Sequence, residues 1–561
     1  MLACPRRPRR SFARSSVLLW ALFAGVGCQA ILGIEDTKPQ GDTPDTPGFS
    51  FAVLSTVVAL PLDGSAGLEV QVTRTGGFAG DVEVRPLVLP SGLVAPPVMI
   101  PAAQTTAVLT VGAQAPLTIG SSLDFQLQAT SGDLPAQTVA VSRAQVTGKP
   151  SAFDTTFGPN ATGLTAVSFG ADDDGSFRDT LVLGDDRIVV AGSGTNGLGA
   201  VRAAVVRLSP GGIVDATFAA GLLRFDFNSG SSGENTLCSA IGQQADGRLI
   251  AIASHSANSS FPPNVALARI STTGTIGDVE FGNMGKIRID LLGNETTADG
   301  LVLADGRILV VGVSSGQAFV MRADPNGALD AQFGASGSYK HDAAMPSRAD
   351  GVAVDAMDRV VMVGSIGPAG ARDLLLVRLL PSGQLDTSFG QGGVVRAGVA
   401  TLDERGRAVA IRPDGRIVVA GHSNKNGNDD FELRQFLSSG AVDDSFGQGG
   451  VVTAPITAMA DRVSDMILLP GGQVLAVGNS GTFFGDEDPS NGAPIAVRYT
   501  RTGALDPFFD QDGIDTTIPL GTNGVLRGVK RFDNHRVILT GGNQGGTPGP
   551  GTFGIIVRMW M

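Results

Sequence analysis

The sequence predicts an all-β chain, a seven-bladed β-propeller preceded by an immunoglobulin-like β-sandwich, and three observations carry that reading. A block close to Leu-Asp-Xaa-Xaa-Phe-Gly, then Asp-Gly-Arg-Ile-Val-Val-Ala-Gly, then Val-Arg-Leu recurs seven times after residue 153. Its phenylalanines are Phe157, Phe218, Phe281, Phe333, Phe389, Phe446 and Phe509, spaced by 61, 63, 52, 56, 57 and 63 residues. That period is too long for most solenoid repeats and suits a four-stranded blade with its turns. Composition agrees: glycine is abundant (78 of 561), aromatics are few (6%) and β-branched runs are frequent. This is the mixture expected of many short strands joined by tight turns, with little helix.

Residues 1–27 read as an export signal. Arg6, Arg7, Arg9, Arg10 and Arg14 form a basic head, and Ser16 to Gly27 is an apolar stretch of 12 residues, too short to span a bilayer. The run ends Gly25-Val26-Gly27-Cys28, which resembles the lipobox of bacterial lipoproteins, although that family usually has Leu or a similar residue where Gly25 stands. The resemblance implies lipidation at Cys28, an outer-membrane or cell-surface anchor and membrane contact through the lipid alone. The competing reading is ordinary signal cleavage. Arg9-Arg10-Ser11-Phe12 also resembles a twin-arginine signal, a pattern that a merely basic head shares.

With Cys4 removed and Cys28 lipidated, Cys238 is the one cysteine left of three. No internal disulfide can form, and a small packed residue is the expected role of Cys238. The formal charge is −12, and loss of the five signal arginines takes it to −17. Such a surface repels nucleic acid and anionic headgroups, so a nucleic-acid partner is not expected.

Residues 28–48 read as a disordered tether, because Pro39, Pro44 and Pro47 stand among Asp, Thr and Gly with too little apolar surface to fold. Residues 49–147 lack the repeat. They carry alternating runs at Leu68–Val72, Asp81–Val84, Ala107–Val111, Phe125–Gln128 and Val139–Val141, separated by Gly, Pro and Ser turns. About seven short strands in about 100 residues favour an immunoglobulin-like sandwich.

From 153 to 561 the repeat supplies everything else. Asp stands three places before each Phe, at Asp154, Asp215, Asp278, Asp330, Asp386, Asp443 and Asp506. The Asp-Gly-Arg turn sets Arg187, Arg248, Arg307, Arg359, Arg416 and Arg536 in a second register, with Gln473 in the sixth copy. A third register holds Arg207, Arg269, Arg322, Arg378, Arg434, Arg498 and Arg558. These blocks resemble the delta-60 repeat of bacterial surface and secreted proteins, a resemblance that implies a β-propeller unit without an assigned activity. The departures are local: Gly277 before Asp278, Gly471-Gly472-Gln473 for Asp-Gly-Arg, and Asp510 after Phe509. Each copy can close a hairpin at Asp-Gly, and a strand near Phe153 is expected to complete the last blade and close the ring.

Identical Asp and Arg at equivalent places serve a scaffold, by capping turns and pairing with each other. No catalytic residue is assigned. Gly312-Val313-Ser314-Ser315-Gly316 fits a nucleophile elbow, and Gly192 to Gly197 a dinucleotide fingerprint. Neither has the following helix the chemistry needs, and both read as turns. His255, His341, His422 and His535 have no metal-ligand spacing and are expected in exposed loops.

Variation concentrates between Val-Val-Ala-Gly and Val-Arg, at 254–264, 422–430, 479–493 and 542–552, with a short version in the fourth copy. Equivalent loops emerge on one face, the expected binding surface for an unidentified protein or glycan. Asp429 and Asp430 in copy five and Asp486, Glu487 and Asp488 in copy six make Ca²⁺ the one cofactor suggested. Solvated acidic loops are the alternative. The functional expectation is a non-catalytic envelope lipoprotein displaying a propeller for binding or adhesion. The runner-up is a propeller hydrolase or lyase acting on extracellular glycans, which would need non-recurring His, Glu, Asp or Tyr converging on the axis.

Overall fold

The computed structural model describes residues 47–54, 58–169, 175–195, 200–227, 234–258, 261–341, 344–399, 401–483, 489–518, 520, 523–543 and 553–561. The signal, Cys28 and most of the tether lie outside the described residues. Among those described, no helix is long and apolar enough to cross a membrane.

The N-terminal part builds two sheets. One orders Gly48–Val53, Gly64–Thr75, Thr106–Ala113 and Leu93–Val94; the other orders Ala59–Pro61, Gln137–Thr147, Ser122–Thr130, Val82–Val88 and Val98–Ile100. Every alternating run picked out above falls within or overlaps a strand. In Gly64–Thr75, Leu68, Val70 and Val72 turn inward while Gln71 and Thr73 are exposed, as a period of two demands. These residues share one core with Leu60, Val82, Val84, Leu109 and Leu127.

From Gly175 onward, four-stranded antiparallel units follow one another. The first strands of the units are Gly175–Val182, Asn235–Gln243, Glu295–Val302, Ser347–Val354, Glu404–Ile411, Ala460–Leu468 and Gly524–Arg531. Each packs against the first strands before and after it, and Gly175–Val182 meets Gly524–Arg531, so the circuit closes. A single parallel bridge, Val201 to Asn235, joins the first two units into one extended sheet.

Closure uses the strand expected from the start of the repeat region. Leu164–Ser168 pairs antiparallel with Phe553–Trp560, and Phe153 bridges Met559. The last sheet is therefore completed by residues nearly 400 positions earlier, and it leaves no edge of its own open at this point. Sequence copy and sheet are offset, because each copy opens with the outer part of the preceding sheet.

Two features of the repeat acquire a physical cause. All seven phenylalanines are fully buried. The glycine of Val-Val-Ala-Gly faces a β-bulge in the first strand, where an extra residue pushes a carbonyl toward it. A Cβ at Gly192, Gly312, Gly364, Gly421, Gly478 or Gly541 would lie 1.8 to 2.0 Å from the carbonyl oxygen of Ser176, Thr296, Arg348, Arg405, Arg462 or Val525. Ala253 occupies this place in the second unit, opposite Cys238.

Candidate functional site

The recurring charges are spent on the scaffold. The third-strand arginine donates through Nε to the Asp ahead of the phenylalanine at 2.8 Å in Arg207–Asp215, Arg269–Asp278, Arg322–Asp330, Arg378–Asp386 and Arg558–Asp154. Arg498 and Asp506 stand at 2.9 Å. The same guanidinium lies over the buried ring, 4.4 Å from the centroid in Arg378–Phe389, and reaches a carbonyl of a neighbouring unit, as Arg207 does to Thr272. One side chain thus ties a turn, a core ring and a neighbour.

Copy five departs from the expected register. Gln435, and not Arg434, holds this position and donates to Asp443 at 2.8 Å. The ladder sets it: Phe436 bridges Val442 as Leu379 bridges Leu385, so Arg434 falls on the other face of its strand, against Glu432 and Glu404. Arg412 substitutes for the missing guanidinium, bonding Gln435 at 2.7 Å and the carbonyl of Gly472 at 2.6 Å.

The histidines also differ from expectation. His255, His422 and His535 are buried: the second strands run past Val-Val-Ala-Gly and keep His255 and His422 in the ladder, while His535 sits in the turn before Arg536–Asn543, its carbonyl accepting the Met561 amide at 2.8 Å. His255 Nδ1 is 2.9 Å from Thr236 Oγ1, and burial, then Arg288, push its imidazole down to about 4. His422 is opposite Arg405 and is held well below the usual range by burial and that arginine. Cys238 is buried as expected, its thiol pushed up to about 12 by burial and Asp179. Ser315-Gly316 closes a two-residue hairpin with positive φ at both positions, the turn that the elbow-like motif was read as. It is also the shortest connection of its set, shorter than 367–372 in the fourth unit.

Of the acidic loop residues, Asp429 Oδ2 accepts Arg462 Nε at 2.6 Å. Asp430 is buried, accepts Asn426 Nδ2 at 2.6 Å and has its other oxygen without a partner. Burial pushes its carboxyl upward. Asp486, Glu487 and Asp488 lie outside the described residues. Among the described residues, no group of three or more His, Cys, Asp or Glu could hold a metal ion.

What converges on the axis is a set that the repeat alignment missed. The bulge residues of the first strands are Arg178, Ser239, Ala298, Asp350, Arg407, Ser464 and Arg527. Asp350 is gripped by Arg405 through two bonds of 2.9 and 2.8 Å, by Arg348 at 2.9 Å and by Arg407 at 3.3 Å. Burial alone would raise its carboxyl, but the three guanidiniums hold it far below the usual range. Burial and Arg405 push Arg407 down to about 9, and Arg178, from the first unit, is close enough to add to this. Arg348 pairs in the ladder with Ser365 and Arg405 with His422, so the cluster lies toward the variable-loop end of the channel. The signal was present as Ser347-Arg348-Ala349-Asp350 and Glu404-Arg405-Gly406-Arg407: Arg348 and Arg405 share their register with Arg462 alone, Arg407 shares the bulge position with Arg178 and Arg527, and Asp350 is the one carboxylate among the bulge residues.

A second layer is structural. Asp179, Asp299 and Asp465 each accept a backbone N–H of the following unit, from Ile241, Val352 and Val529 at 2.8, 3.0 and 2.9 Å. Burial, then the neighbouring carboxylates, raise Asp299 to about 7; burial raises Asp465 to about 6.

The sheets and their circuit define an all-β protein of β-propeller type. Residues 183–218, 303–333, 358–389 and 412–446 match the family model described as Domain of unknown function (DUF5122) beta-propeller. Among solved structures, the chain is similar to an unknown-function protein from Dyadobacter fermentans DSM 18053. Identity is 12%, coverage is 71% of this chain and 99% of that one, and the TM-score is 0.38. An engineered GH43 glycoside hydrolase displaying endo-xylanase and exo-arabinofuranosidase activity is similar at 11% identity, 79% and 86% coverage and TM-score 0.22. Domains 4–9 of the surface layer protein SbsC give 11%, 84% and 82%, and 0.14. No curated protein matches.

Proposed function

We propose that this is an exported envelope lipoprotein whose seven-bladed, delta-60-like propeller, carried on an immunoglobulin-like module, binds a protein or glycan partner through its variable-loop face. One observation carries the reading. The recurring Asp and Arg are consumed within the scaffold, while the residues that break the sevenfold pattern, Arg348, Asp350, Arg405 and Arg407, gather at the loop-face end of the axis. Charge held in a fixed arrangement beneath variable loops is the design of a recognition surface.

The test is a glycan and protein array probed with the full chain and with a variant whose loop 257–263 is replaced by a glycine-serine turn. Partner capture that the loop variant loses supports the reading; capture unaffected by the loops, or release of cleaved glycan, overturns it. For the anchor, labelled palmitate is expected in the wild type and not in Cys28→Ser, and labelling of both or neither removes it. A calcium site shared by Asp429, Asp430, Asp486, Glu487 and Asp488 would raise the melting temperature in millimolar Ca²⁺ by mass action. The Asp486→Asn, Asp488→Asn variant should lose that shift, and no shift in the wild type leaves these loops as solvated surface.

A further inference from the structure

We propose that the loop-face end of the axis is an oxyanion site, taking a carboxylate or phosphate group, in which Arg407 touches the ligand. The inference rests on the loop-face reading and names the chemistry its centre would recognise.

Charge is the first argument. Five guanidiniums, Arg178, Arg348, Arg405, Arg407 and Arg527, come from four different units to the first strands near the axis, in a chain of formal charge −12. Asp350 is the carboxylate that Arg348, Arg405 and Arg407 all contact, and Arg178 is close enough to act on Arg407. Like charges brought together in a partly desolvated channel repel, and an anion entering among them relieves that repulsion.

Preorganisation is the second. The side chains of Asp350 and Arg405 are each 2% exposed and form a sealed base. Arg348 and Arg407, which pair with the same carboxylate, are 28% and 29% exposed. Asp350 therefore fixes the guanidiniums before any ligand arrives, which lowers the ordering cost of binding.

Unused donors are the third. A guanidinium has five N–H groups, and among the described residues Arg407 commits only Nη1, to Asp350. The side chain is 29% exposed, so the fork is open to solvent in part. The planar fork matches carboxylate and phosphate oxygens in pairs, and Arg405 already makes that contact with the Asp350 carboxylate.

The opposing charges have other work. Asp179, Asp299 and Asp465 each accept two backbone N–H groups, one from their own strand and one from the next unit. Lys530 stands near Asp179 and Asp465. They belong to the seams between units.

Calorimetric titration of the full chain at constant ionic strength tests this, with sodium glucuronate in one arm and sodium phosphate in the other. Saturable binding is expected in at least one arm, and the arm identifies the source of the oxyanion. Arg407→Ala should weaken it at least tenfold without changing the melting temperature by more than a few degrees. Arg407→Lys keeps the charge but not the fork, and should weaken it at least threefold; it serves as the test where the alanine variant does not fold. No saturable binding in either arm, or wild-type affinity in the folded variants, overturns the proposal. The loop 257–263 variant should retain anion binding. Array capture that persists when anion binding fails would sink the oxyanion site alone.

Discussion

Replacing Asp386 by Ala probes the unit on which the repeat is built. Its Oδ2 accepts Arg378 at 2.8 Å and Arg359 at 3.4 Å, and its Oδ1 accepts the Ser388 amide and hydroxyl at 3.1 and 2.6 Å. Truncation strands Arg378, whose side chain is 3% exposed. Breaking a buried ion pair on one side costs about 3–5 kcal/mol. The lower part of that range applies here, because Arg378 keeps its bond to the Ser438 carbonyl and its place over Phe389. We expect a loss of about 3 kcal/mol, read as a lowered urea midpoint by fluorescence. Trp560 is a fitting reporter, since it ends the strand that closes the circuit. The double variant Arg378→Met, Asp386→Leu removes both charges and should lie closer to wild type than Asp386→Ala does, since no buried charge remains unpaired. The sign with pH follows from the Ser388 hydrogen bonds and Arg378, which hold the Asp386 carboxyl below its usual range. Its contribution is present above about pH 4 and fades as pH falls through the depressed value, so the deficit of Asp386→Ala should shrink in acid. A loss under about 1 kcal/mol, or a double variant as unstable as the sum of the singles, would refute the reasoning.

Other outcomes follow from the same geometry. Gly421→Ala should destabilise by about 1–3 kcal/mol through overpacking against the Arg405 carbonyl, and a neutral or stabilising result in thermal unfolding would show that the bulge is not rigid. His255 has a folded value pushed to about 4 by burial and then Arg288, below its unfolded value, so the unfolded chain takes up the proton first. Stability should therefore fall by up to about 3 kcal/mol between pH 6.5 and 4, and His255→Gln should flatten that slope; an unchanged profile would remove His255 as its source. Cys238, buried with its thiol raised to about 12, should react with a thiol reagent only on unfolding. Native-state labelling that Cys238→Ala abolishes would contradict its burial.

The periodic residues were legible in the sequence because each is decided locally. Phe389 must be buried wherever a sheet packs on its neighbour, and Asp386 lies only eight residues from the Arg378 it answers, so both leave a mark at every period. The strand runs from Leu68 to Val72 and from Val139 to Val141 were visible for the same reason, since alternation is a property of adjacent residues. Tertiary structure decided the rest. One step in strand register exchanged Gln435 for Arg434, because neighbouring residues of a strand point to opposite faces and only the ladder to Val442 says which is which. His255 and His422 were read as loop residues because strand length beyond a motif depends on the partner strand, which the motif does not contain. Arg348, Asp350, Arg405 and Arg407 belong to two neighbouring units, and Arg178, from another, is close enough to act on Arg407. Their convergence exists only once first strands about 57 residues apart, Ser347–Val354 and Glu404–Ile411, stand side by side. A period records what every unit does alike; a site is made where units differ and meet, and that meeting is set by the packing of neighbouring first strands.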